Sequence, residues 1–132
     1  MTKGDVLIKL SSQLNIFYVP RLICFTVADW ENDSDNIISE ALTFNSKLLI
    51  IRSSALGEDS SENSKAGEYK SILNVKKNKS DIKNTVKLVI DSYHKRKNSN
   101  GLNKVIIQTQ INDILLSGVI FTRELNTGAP YY

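Results

Sequence analysis

Residues 48–54 read LLIIRSS, four large aliphatics followed at once by an arginine and two serines. Four apolar residues in a row describe a buried strand, and a buried strand needs further layers to cover it. Arg52 then stands at the end of that strand. An unpaired guanidinium there is costly, so it calls for an anionic partner, either an acid of the protein or a phosphate from outside. The polar stretch ALGEDSSENSKAGEY at 55–69 follows, with two glycines. So long a loop inside a compact domain is usually functional or disordered.

Periodicity organises the remainder. Residues 3–14 read as a short helix with Val6, Leu7, Leu10 and Leu14 on one face. Pro20 forces an extended approach into a strand over RLICFTVAD. The acidic ENDSD at 31–35 reads as a loop, from which Asp35 caps a helix over 36–44 that buries Ile37, Ile38 and Leu42. SILNV at 71–75 is a short strand. Ser80 is the expected cap of the clearest helix, with Ile82, Val86, Val89, Ile90 and Tyr93 on one face and the cationic HKRK at its negative end. KVIIQTQI and SGVIFTREL then predict two strands joined as an antiparallel hairpin through NDILL. The order of elements is mixed α+β. The end, NTGAPYY, has a turn signal and nothing that closes a domain, which makes a fragment of a longer protein the expectation.

At 132 residues the chain suits one compact domain or part of a larger one. Hydrophobics at 41% and charged residues at 23% are ordinary for a soluble globular protein. No apolar run approaches a membrane span, and the start does not read as a signal peptide. With one cysteine, Cys24, no internal disulfide forms, and a reduced cytoplasmic setting is expected. Residues 65–132 carry a net charge of +7, against −4 over 1–64. Such a basic half raises nucleic acid as a partner, but no aromatics interleave with the lysines as a stacking platform requires. Solvated helix faces and loops are the expected role of those charges.

Few residues promise covalent chemistry. His94, the single histidine, sits in a basic helix end, and Cys24 inside a strand reads as a small core hydrophobe. No nucleophile elbow, zinc-protease helix or P-loop occurs. The neighbouring acids Glu58 and Asp59 read as solvated rather than as metal ligands. The loop after Arg52 is richer. It joins the arginine to Ser53, Ser54 and a glycine in KAGEYKS. Arginine offers a planar fork to phosphate oxygens, and a glycine lets backbone amides approach them.

Three blocks then resemble one family in order. LLIIRSSALGEDSSENSKAGEY is similar to the "RSS(A)xxED…S.AG" signature of the ATP-binding domain of phosphoenolpyruvate-utilising phosphotransferases, which include phosphoenolpyruvate synthase, pyruvate phosphate dikinase and rifampicin phosphotransferase. TKGDVLIKLSSQLNIFYVPRLICFT resembles its "GKxxNLxxL…VPxgFxxT" opening, and VIIQTQI…SGVIFTRELNTG its "VxVQxMv…SGVxFTxDPxTG" block. The sequence departs from the pattern at Met1-Thr2 for Gly-Gly, KAGE for FAGQ and FTREL for FTxDP.

The resemblance implies an α+β fold, the first subdomain of an ATP-grasp-like nucleotide-binding domain, with a mixed sheet and flanking helices. It implies ATP and Mg²⁺ as ligands, with Lys3 and Arg52 on the phosphates, Gly67 and Ser71 in the phosphate-covering loop, and Gln108 near the base. The metal ligands, the phosphorylated histidine and the acceptor site would lie in the remaining domains of the same enzyme, so this segment holds no catalytic residue and would not transfer phosphoryl groups alone. A stand-alone, non-catalytic nucleotide-binding or regulatory module is the alternative.

Overall fold

A computed structural model describes residues 2–55, 70–94, 102–121, 123–124 and 127–130, with the side chain of His94 excepted. Its elements run α1 (Lys3–Gln13), β1 (Leu22–Thr26), α2 (Val27–Leu42), β2 (Leu48–Ser54), β3 (Ser71–Lys76), α3 (Lys79–His94) and β4 (Lys104–Thr109). The strands form one sheet in the order β1-β4-β2-β3. The α+β class expected from the element order holds. Every pairing in the described sheet is antiparallel, where the resemblance implied a mixed sheet.

Alternation along the strands splits the sheet into two unlike faces. Ile23, Phe25, Val105, Ile107, Leu49, Ile51, Ile72 and Val75 point to one side, where they meet Ile38, Ala41 and Phe44 at the α2 end and the apolar face of α3. All five α3 residues expected on that face, Ile82, Val86, Val89, Ile90 and Tyr93, are buried there. The other face carries Cys24, Ile106, Arg52 and Ser71 as one row across the four strands, with Gln108 a row away. It is covered only in part, by α1.

Several local expectations are corrected. β1 stops at Thr26, because Thr26 caps α2 with Asp29 in a reciprocal capping box; Val27–Asp29 belong to the helix, not the strand. ENDSD is likewise helical, as solvent-facing turns broken at Asp33 (φ −149°, ψ 61°), and Asp33 rather than Asp35 accepts the Asn36 N–H, at 3.2 Å. Asp35 instead pairs with Lys79 at 2.9 Å and ties α2 to α3. Ile38 is buried, but Ala41 and Phe44 fill the place given to Leu42, which stays exposed. α3 is capped by Asn78, which accepts the Asp81 N–H at 2.8 Å, so the cap lies two residues before Ser80. Of the four apolar residues placed on one face of α1, Val6 is exposed, Leu7 and Leu10 are part-buried, and Leu14 is the part-buried C-cap; Gly4 is that helix's buried residue.

The largest correction concerns the end of the chain. The hairpin through NDILL does not form among the described residues, and residues 117–121 are not a strand. The reason is geometric: β4 already pairs with β1 on one edge and β2 on the other, so no edge remains for a returning strand. Further on, Arg123 and Pro130 form an isolated antiparallel bridge around Gly128 (φ 69°), the turn that the glycine signalled.

β2 and β3 pair with an irregularity, since Leu49 faces Val75 while Ile51 faces Ile72. The extra β3 residue is accommodated by Asn74 in the left-handed region (φ 59°), a conformation asparagine tolerates better than most. Gln110 clamps it from both sides: Oε1 accepts the Asn74 N–H at 2.7 Å and Nε2 donates to Asn74 Oδ1 at 2.8 Å.

One hydroxyl ties both layers together. Tyr93, 1% exposed, donates to the Lys104 carbonyl at 2.6 Å and accepts the Ser54 N–H at 3.1 Å. Removing it leaves buried backbone groups without that partner, so Tyr93→Phe should lower unfolding stability by about 1–3 kcal/mol. Urea unfolding checks this, and the midpoint should fall with the slope unchanged.

Candidate functional site

The partly covered sheet face holds the residues that matter. β2 delivers Arg52 there because Leu49, Ile51 and Ser53 alternate to the core side. Arg52 is half-buried, and among the described residues its guanidinium makes no hydrogen bond or ion pair. It shares a cleft of about 250 Å³ with Lys3, Val6 and Leu7 of α1. Two cationic side chains from opposite ends of the first 52 residues therefore border one opening. Ser71 faces Arg52 across the β2–β3 ladder and is exposed.

Gln108 points to the same face but not into that cleft. Its Nε2 donates to the Pro20 carbonyl at 3.2 Å, and the residue is 8% exposed. It borders a second cleft of about 200 Å³ with Pro20, Ile50, Leu73, Ile111 and Ile114 among its walls. Gly67, Glu58 and Asp59 lie outside the described residues. Ser53 and Ser54, singled out beside Arg52, are buried and so do not offer their hydroxyls to a ligand. Ser54 Oγ instead accepts the Gly4 N–H at 2.9 Å.

That bond belongs to an anchor which sequence reading overlooked. Thr2 and Asp5 form a capping box at the start of α1: the Asp5 N–H reaches Thr2 Oγ1 at 3.4 Å, and the Thr2 N–H donates to Asp5 Oδ2 at 2.9 Å. Asp5 Oδ1 also accepts from Lys104 Nζ at 2.6 Å. Thr-Lys-Gly-Asp is legible as a cap. A partner 99 positions away is not. Because Gly4 and Asp5 already direct their amides to Ser54 and Thr2, the helix terminus is occupied by the protein's own groups. An anion in the cleft would meet side chains there, not the helix end.

Cys24 lies directly under Gly4. Burial pushes its thiol up to about 11, so it stays protonated near neutrality and is a poor nucleophile. Among the described residues no three His, Cys, Asp or Glu side chains cluster to hold a metal ion, and no helix is long and apolar enough to cross a membrane.

Residues 29–131 match the family model for the AMP/ATP-binding domain of pyruvate phosphate dikinase. That span is most of the chain, and the chain belongs to this family. It contains Arg52, Gly67, Ser71 and Gln108, whereas Lys3 precedes it. No curated protein and no solved structure matches.

The ion pair sets a pH dependence. The hydrogen bond from Lys104, aided by those from Thr2, holds the Asp5 carboxyl down to about 2, below the usual 3.8. A depressed carboxyl contributes stability that is present above its unfolded value and lost as pH falls through the folded one. The contribution should thus be complete above about pH 4 and vanish toward pH 2. Acid unfolding of Asp5→Asn should show a shallower fall in stability over that window than the parent chain.

Proposed function

We propose, from membership of the AMP/ATP-binding family, that this chain is the phosphate-gripping part of a phosphoenolpyruvate synthase-like phosphotransferase. In the full enzyme a phosphoryl group would pass from ATP, through a histidine outside this segment, to pyruvate or another acceptor. The observation that carries the reading is Arg52, a half-buried guanidinium with no acid partner among the described residues, opening on a cleft that Lys3 also lines. A half-buried cation that the described residues leave without a counter-charge gains from a polyanion, and a nucleotide triphosphate supplies one.

In this reading Arg52 forks two phosphate oxygens, and Lys3 adds a point charge beside it. Together they offset negative charge on the transferring phosphoryl group, the main task of a protein in such reactions. Ser71, exposed next to Arg52, borders the same oxygens through its hydroxyl. Gln108 marks the cleft for the base, one row away across the sheet, with Ile50 and Leu73 as apolar surface for a planar ring. ATP carries Mg²⁺, whose protein ligands we assign outside the described residues, and no step here runs through the metal. Ile114, Leu115, Leu116, Val119 and Ile120 are each more than half exposed, which supports a second part of the enzyme covering this side.

Calorimetric titration of the full-length protein with ATP and Mg²⁺ tests the assignment. Arg52→Ala should weaken binding by about 1.5–3 kcal/mol, the scale of a hydrogen bond to a charged group. Arg52→Lys should also bind more weakly, since an ammonium cannot reproduce the fork. An unchanged affinity in both variants would remove Arg52 from the phosphate site. A phosphohistidine formed by the full enzyme with ATP, and lost in Arg52→Ala, would place the cleft on the phosphoryl path.

A further inference from the structure

α1 has only a weak hydrophobic hold on the sheet, with Leu7 and Leu10 part-buried. Gly4 is its buried residue, while Val6 and Ile8 are 41% and 47% exposed. Its polar anchors on the sheet come from its first turn. The Gly4 N–H is held by Ser54 Oγ at the end of β2, and Asp5 by Lys104 at the start of β4. Ser54 and Lys104 are themselves paired across the β2–β4 ladder, two residues along from the Arg52–Ile106 pair. The close approach also demands a glycine: a Cβ on Gly4 would lie 2.3 Å from Cys24 Sγ and 3.4 Å from Ile106 Cγ1. Lys3 therefore sits between Gly4, whose N–H is bonded to the sheet that presents Arg52, and Thr2, whose N–H is held by the Asp5 carboxylate that Lys104 of the same sheet engages.

We infer that the Asp5–Lys104 ion pair and the Gly4–Ser54 hydrogen bond are a positioning device that sets Lys3 against Arg52 for joint contact with phosphate. Asp5, Lys104 and Ser54 touch no nucleotide in this arrangement; they act through Lys3. The inference rests on the phosphate reading of the cleft. Its chemical logic is that a side chain contributes to a polyanion site only where its backbone is held, because ångström-scale misplacement of a charged group forfeits much of its interaction.

The test is a double-mutant cycle on ATP affinity in the full-length protein, with Lys104→Met and Ser54→Ala as separate disruptions of the anchor. Each alone should weaken ATP binding by about tenfold, the low end for losing one hydrogen bond to a charged group. In a Lys3→Ala background neither should cause further loss, because the group they position is gone. Circular dichroism and the unfolding midpoint identify a variant that fails to fold, and the other disruption then carries the cycle. Losses that add in full to that of Lys3→Ala would overturn the inference, as would unchanged affinity in a folded Lys104→Met or Ser54→Ala protein. If Lys3→Ala and Arg52→Ala themselves bind ATP normally, the phosphate reading falls first, and the two failures are told apart.

Discussion

Both edges of β4 are occupied by hydrogen bonds, and most of the architecture follows from that. With β1 on one side and β2 on the other, β4 becomes an interior strand whose Val105 and Ile107 are wholly buried. Ile106, on the opposite face, becomes the floor between Cys24 and Arg52. The chain after Thr109 must leave the sheet, which carries Ile111–Phe121 over its outside rather than back into it. The first and last described strands, β1 and β4, pair directly, and β4 joins β1 to β2. Long-range pairings of this kind also make the sheet costly to nucleate, since distant segments must close before any ladder forms.

The parts legible in the sequence were those governed by local physics. α3 shows its apolar stripe at helical spacing, and all five residues named from it are buried. LLIIRSS announced a strand, but β2 runs on to Ser54, so Arg52 lies within it and half-buried rather than at its end. The misreadings have a common source. ENDSD looks like a loop because its acids are polar, but polarity on the outer face of a helix is compatible with the fold when Thr26 and Asp29 cap it. The expected hairpin failed because strand propensity in SGVIFTREL says nothing about which edges are free. The anchor of Asp5 on Lys104 was invisible for a similar reason, as ion pairs between distant positions leave no spacing signal.

On the open face one carboxylate, Asp5, is shared between a helix cap and a cation of the sheet. Asp5 is engaged with Lys104 and with Thr2, and the network raises the Lys104 ammonium above its ordinary value while lowering the carboxyl. That engagement leaves Asp5 turned to Lys104 rather than to Arg52. Asp5, two residues from Lys3, is thus engaged by Lys104, beside a cleft that the two cationic side chains Lys3 and Arg52 line.

The bulge at Asn74 bears on how this sheet meets other molecules of its kind. β3 is an outer strand, and a straight outer strand presents a regular row of amides and carbonyls that an identical strand can join. Here the row is interrupted: Asn74 turns through the left-handed region, and its N–H is taken by Gln110. Lys70 and Lys76, both exposed, bracket the interruption with like charges. An incoming strand finds the register broken midway and a lysine at each end, so the fold carries its own guard against edge-to-edge association.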